Sequence, residues 1–280
     1  MNNKEPQKRD FLAGDLPKTR KAQFWDILRH QMRTVISSSM LVTLFALPLF
    51  ALYIVFNVFI GAAYARGDGT DVIFSLFFYG GLLAIPCLVI LNIGFSGAFN
   101  VAKKLVFGEG LLLNVAFYYG LKENWKKAIL MSIINALSFV LALLGSVYLL
   151  LYYVAAPILV GVGVGLLAVQ YIIIGIMTPY YMSQICFYQN KVMAVIKNSF
   201  LFALMKLPLN FAIFALAPGL IIALVFANDI TSYVGMGLFV FFNFIGVLLW
   251  NLNNSRVFDR FINQDHYPDY VNKGLAKKEK

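Results

Sequence analysis

Five stretches of this chain hold no Lys, Arg, Asp or Glu: 34–65, 72–102, 128–190, 207–228 and 230–255. A helix needs roughly 20 apolar residues to cross the hydrocarbon core of a bilayer. Four of the windows fit one such helix each. The third, 63 residues long, fits two with a tight turn between them. Backbone polar groups in lipid must be satisfied within the protein, so long continuous apolar runs read as helices. Strands of a membrane barrel would alternate polar and apolar residues at period two, and these runs do not. The fold expectation is an all-α polytopic membrane helix bundle with six transmembrane helices, over about 37–60, 72–97, 128–152, 156–180, 207–227 and 233–253. Composition agrees: 13% of residues are charged, against about 25% in soluble domains.

Charge then orients the bundle. Of 23 lysines and arginines, only Arg66 falls on the side opposite the rest. Short loops that keep Lys and Arg stay cytoplasmic, which predicts both termini and both longer inter-hairpin segments inside. The net charge of +10 lies beside the spans, where anionic headgroups attract it. No nucleic-acid recognition module accompanies it, so nucleic acid is not an expected partner. Residues 1–36 are too polar for a cleavable signal peptide. The domain expectation is a disordered basic arm over 1–20, a membrane domain over 21–253 and a cytoplasmic polar tail over 254–280. Arg66, Gly67 and Asp68 form an Arg-Gly-Asp tripeptide, which reads as turn chemistry.

Between the spans the chain is amphipathic. Phe24, Leu28, Met32 and Val35 recur at helical spacing among Lys21, Asp26, Arg29 and Arg33. This reads either as a helix on the membrane surface or as an extension of the first span. Residues 111–121 are uncharged but too short to span, so an interfacial place or one beneath the bundle is expected. Phe117, Tyr118, Tyr119 and Trp125 suit headgroup depth. A weak repeat at an offset of 75 pairs Lys122 with Lys197, Ala128 with Ala203, Asn135 with Asn210 and Phe139 with Phe214. It reads either as a basic helix followed by a hairpin, used more than once, or as chance similarity between apolar helices.

Chemistry-bearing patterns are scarce. No predicted span holds an ionisable Asp, Glu, Lys, Arg or His, the residues on which proton relays and voltage sensors depend. Asn57, Asn92, Asn135, Ser138, Ser146, Gln170 and Asn243 are among the polar residues inside the spans, with Asn210 near an end. They read as interhelical hydrogen bonding or as the lining of a polar path. Gly161, Gly163 and Gly165 alternate within an apolar helix. Gly161 and Gly165 form a small-xxx-small pair, which predicts close helix packing inside the chain or with a second copy. Cys87 and Cys186 offer no disulfide framework, and His30 and His266 lack metal-ligand spacing. No hydrolase elbow, phosphate loop or carboxylate pair is present. The expectation is no enzyme activity, no catalytic residue, no metal and no cofactor.

Three stretches together resemble the YesL-like family of bacterial membrane proteins. The first is Phe24-Trp25-Asp26-Ile27-Leu28 leading to Leu44-Phe45-Ala46-Leu47-Pro48. The second runs from Ile85-Pro86 through Gly97-Ala98-Phe99-Asn100-Val101-Ala102-Lys103-Lys104 and Gly108-Glu109 to Gly120-Leu121-Lys122-Glu123-Asn124-Trp125-Lys126-Lys127-Ala128. The third joins Tyr180-Tyr181, Ile196-Lys197-Asn198 and Leu207-Pro208-Leu209-Asn210. Ala116 departs from the family, which often has Asp there. The resemblance implies six spans, a bacterial plasma membrane and company with carbohydrate-uptake transporters of the ATP-binding-cassette class. It points to an accessory subunit that contacts a permease through Lys122, Asn124, Trp125, Lys197 and Asn198. The rival for these five residues is interfacial anchoring, and the rival function is a stand-alone small-molecule transporter or channel.

Overall fold

A computed structural model describes residues 16–276. The expected arm over 1–20 therefore falls almost wholly outside the described residues. The described residues form ten α-helices: α1 Arg20–His30, α2 Met32–Arg66, α3 Thr70–Phe107, α4 Leu113–Tyr152, α5 Pro157–Phe187, α6 Val192–Met205, α7 Leu207–Phe214, α8 Leu220–Ala227, α9 Asp229–Phe258 and α10 Gln264–His266. A wide π turn over Ala215–Gly219 joins α7 to α8, and it contains Pro218. Proline has no N–H to return to the preceding turn, and the helix widens there rather than breaking. Six helical units are long and apolar enough to cross a membrane, as the uncharged windows predict. They form three hairpins: α2 with α3, α4 with α5, and α7–α8 with α9.

The helices outrun the bilayer. The 38 and 40 residues of α3 and α4 rise about 57 and 60 Å at 1.5 Å per residue, nearly twice a hydrocarbon core of about 30 Å. Burial changes along them accordingly. In α5 every buried residue lies from Ile176 onward. In α3 burial is dense from Leu91 onward, and in α2 all buried residues except Ala63 lie between Val35 and Ala46. Ala46, Leu91 and Ile176 each stand roughly 20 residues from the Arg66 end of their helix, one hydrocarbon thickness. The Arg66 end is therefore a set of lipid-solvated hairpins. The opposite, basic end is a close-packed layer with a core of its own.

Three elements sharpen the sequence reading. α1 is not an extension of the first span, because the chain breaks at Gln31 between α1 and α2. Its buried face holds Arg20, Gln23 and Ile27, with Phe24 and Leu28 partly buried against the core. It docks on protein through polar groups rather than lying on lipid alone. Residues 113–121 are not a separate segment but the start of α4. They pack on α3 where Gly97 faces Phe117 and Gly120 faces Asn100; a Cβ at Gly120 would stand 2.5 Å from the Asn100 Cβ. The tail is folded as far as Ala276. Its helix continues through a π turn to His266, and Tyr267 and Tyr270 stack beside Tyr188. Lys273 reaches Glu109 at 2.7 Å, and the Ala276 amide donates to the Pro17 carbonyl at 3.1 Å. The Arg-Gly-Asp tripeptide is a turn: Gly67 closes α2 at φ +70°, and Arg66 pairs with Asp68 at 2.8 Å.

Gly274 makes the tail's close approach. It has φ +82°, and a Cβ built there would overlap the Val106 carbonyl oxygen. Gly274→Ala is expected to undock residues 267–276 while leaving the six spans folded. Limited trypsinolysis in mild detergent reads this out, with cleavage after Lys273 faster in the variant than in the parent. Equal cleavage rates would count against a docked tail.

Candidate functional site

The basic-end layer is built around helix ends. The last four carbonyls of a helix have no partner within it, and buried polar groups must be paired. Among the described residues the ends of α3, α5 and α6 lie in this layer, and each is capped by a side chain from another helix. Pro208, with no N–H, follows the break at Lys206 that ends α6. The Asn210 amide then donates to the Phe202 and Ala203 carbonyls at 3.0 Å each. Lys103 donates to the Cys186 carbonyl at the end of α5, at 2.8 Å. Gln23 of α1 donates to the Val106 carbonyl at the end of α3 at 2.7 Å, and to the Gly274 carbonyl of the tail at 3.1 Å.

Amides and hydroxyls link these caps across helices. The Tyr180 hydroxyl donates to Asn210 Oδ1 at 2.9 Å, and Asn253 Nδ2 donates to both at 3.1 and 3.3 Å. Beside them Ser183 donates to Asn251 Oδ1, Asn254 Nδ2 donates to Ser183 Oγ and the Pro179 carbonyl, and Gln184 Nε2 donates to Ser199 Oγ. Gln184 Oε1 and Asn254 Oδ1 face no donor among the described residues, so the network is not fully closed. At the far end Arg20 pairs with Asp259 at 3.2 Å, both largely buried. Burial lowers the Arg20 pKa and the Asp259 charge opposes this. Burial also raises the Tyr188 pKa, so its hydroxyl stays protonated and donates to Asn263 Oδ1 at 2.6 Å.

Of the sequence-selected residues, Lys122, Trp125 and Lys197 are exposed and Asn198 is partly exposed. Lys126 lies 5.6 Å over the Trp125 ring. Asn124 is different: it is buried, and its amide faces the Cys186 sulfur at 3.7 Å. That side chain is engaged inside the fold and is not available to a partner. No hydrogen bond or ion pair among the described residues joins the Lys122 group to the Lys197 group. Gly161 and Gly165 face open space, whereas Gly163 between them meets Leu149. The close packing expected of that pair has no partner among the described residues.

Three of the amides inside the spans bond across helices, whereas Asn92 donates within its own helix to the Leu88 carbonyl. Asn135 donates to Thr178 at 3.0 Å, Gln170 to Ser138 at 2.6 Å, and Asn243 to the Ser39 carbonyl at 3.0 Å. The repeat pairs leave partial traces. Ala128 and Ala203 are both buried, and Phe139 and Phe214 both lie against Tyr171. Two open grooves are present. One, about 420 Å³, lies between the starts of α2 and α4. The other, about 230 Å³, lies among α4, α5 and α8 with apolar walls apart from Ser146 and Tyr171. Neither is an enclosed polar chamber at mid-membrane depth. Among the described residues no group of three His, Cys, Asp or Glu could hold a metal ion. Comparison with known protein families, curated proteins and solved structures gives no match.

The polar hub was missed in the sequence because Asn251 and Asn253 sit at the very end of the last predicted span and Asn254 opens the polar tail, where amides look turned to solvent. Asn210→Leu should leave the Tyr180 hydroxyl, the Asn253 amide and two carbonyls short of a partner, costing about 1–3 kcal/mol. A lowered thermal midpoint in detergent is the expected readout, and an unchanged midpoint would contradict the capping role.

Proposed function

We propose that this chain is a non-enzymatic accessory subunit of a membrane transport system, with its basic end in the cytoplasm. The observation that carries the reading is the basic-end layer itself: an internally bonded core whose outward helix faces combine lysines with exposed aromatics. On α4 these are Tyr118, Tyr119, Lys122, Trp125 and Lys126, and on α6 they are Lys197 and Phe200. Aromatic and cationic side chains together favour partner contacts or headgroup depth. The interior of the layer holds amides and hydroxyls already engaged with one another, which suits a scaffold better than a catalyst. The cytoplasmic placement rests on the lysine and arginine bias. The resemblance to the YesL-like family narrows the partner to a carbohydrate-importing permease of the ATP-binding-cassette class in a bacterial plasma membrane.

Purification from native membranes in gentle detergent tests this. Permease subunits should co-purify with the parent chain. Trp125→Ala combined with Lys122→Glu should reduce their recovery about five-fold or more, as expected for loss of an interface anchor. Absence of any permease, with sugar uptake intact in a deletion strain, contradicts the reading. Substrate flux through liposomes holding this protein alone would favour a stand-alone transporter instead.

A further inference from the structure

The groove between the starts of α2 and α4 is independent of the partner surface proposed above. Arg33 and Ser37 of α2 and Asn114 of α4 line it. None of the three has a hydrogen-bond or ion-pair partner among the described residues. Thr34 is also at the groove, but its hydroxyl is committed to Gln31. No carboxylate lines the groove. The nearest in sequence are engaged elsewhere, Asp26 with His30 and Glu109 with Lys273. The groove therefore carries an uncompensated positive charge beside a hydroxyl and an amide. The first turn of α4, which has no side-chain cap and no acidic residue, adds N–H groups without an intrahelical partner.

A second feature gives the ligand its shape. Arg33, Ser37, Met40, Leu44 and Leu47 follow one another at three- and four-residue steps, which places them on one face of α2. Met40, Leu44 and Leu47 are all at least half exposed. The polar groove thus opens at its upper end onto a bare apolar track that rises toward Ala46, the level where burial in α2 stops. From Ser37 to Ala46 is about 13 Å of helix rise, so the track leads from the polar groove up to the edge of the hydrocarbon, which Leu47 reaches. On the α4 side Leu112, 74% exposed, and Val115 edge the groove with further apolar surface. A free anion would use the polar end and leave the track bare. A molecule with an anionic head and an acyl tail would use both.

We propose that this groove binds a phospholipid with a net anionic headgroup. The phosphate lies against Arg33, Ser37 and Asn114, and an acyl chain lies along Met40, Leu44 and Leu47. The guanidinium supplies charge-assisted hydrogen bonds to phosphate oxygens. The track supplies apolar contact that bulk lipid on other faces of the bundle gives without a fixed head position.

The test uses the full chain in nanodiscs of phosphatidylcholine doped with phosphatidylglycerol, with retained lipid counted by native mass spectrometry. The parent should retain phosphatidylglycerol in preference to phosphatidylcholine. Arg33→Gln should reduce that retention at least five-fold, and Leu44→Asn should reduce it too while leaving Arg33 in place. Lys197→Gln, which removes a cation elsewhere on the basic end, should leave retention unchanged. Arg33 and Leu44 are exposed, and a thermal midpoint matching the parent's confirms that each variant is folded. Equal loss in Arg33→Gln and Lys197→Gln would overturn the proposal in favour of diffuse surface charge. Displacement of phosphatidylglycerol by millimolar inorganic phosphate, or indifference to Leu44→Asn, would overturn it in favour of a free-anion site.

Discussion

Three helix ends buried in one layer set the terms for the rest of this molecule. The last-turn carbonyls of α3, α5 and α6 cannot be bonded within their helices, and packing denies them water. Gln23, Lys103 and Asn210 supply the missing donors from α1, α3 and α7. Two of the caps join elements far apart in sequence, Gln23 to Val106 and Lys103 to Cys186, and Lys103 thereby ties the first hairpin to the second. Apolar surface could not do this alone in the membrane half, where lipid tails compete equally for any apolar face.

This explains why the hairpins are so unevenly packed. Toward the Arg66 end the helices are separated from solvent by lipid and hold together through a few amide bonds and ring contacts. Tyr53 also helps there, donating to the Val225 carbonyl. Toward the basic end the same helices continue past the hydrocarbon, where the hydrophobic effect acts and side chains close into a core. Tyr180, Tyr181, Phe244 and Phe258 are fully buried there. α1 and the tail complete the layer, joined through Arg20, Asp259 and the Gly274 carbonyl. The bilayer sets where each helix begins to be buried, and the helix-end caps set how the buried parts fit together.

Much of the architecture was legible because the membrane imposes a one-dimensional rule. A run without charges as long as 72–102 has few alternatives to a span. The turn at Gly67 was legible because glycine acts locally. The packing layer was not. Asn251 and Asn254 look like ordinary residues where a span gives way to a polar tail until Ser183 and Pro179 are brought to them from α5. Gly161 and Gly165 have the spacing of a packing face, yet spacing alone cannot say which way a face points, and theirs points outward. The close approach occurs at Gly97 and Gly120, which lie in different helices and share no sequence pattern. Asn124, chosen beside Trp125 for its neighbours, turns inward because adjacent helix positions differ by about 100°.

The account rests on the caps carrying more of the fold than the amides within the spans. Thermal unfolding of Gln23→Leu and Gln170→Leu, in the same detergent, compares one of each kind. Gln23→Leu leaves the Val106 and Gly274 carbonyls without their donor, whereas Gln170→Leu removes a single bond to Ser138. The account predicts the larger fall in midpoint for Gln23→Leu, with about 1–3 kcal/mol lost against about 0.6 kcal/mol for a typical bond between spans. An equal or larger fall for Gln170→Leu would contradict it.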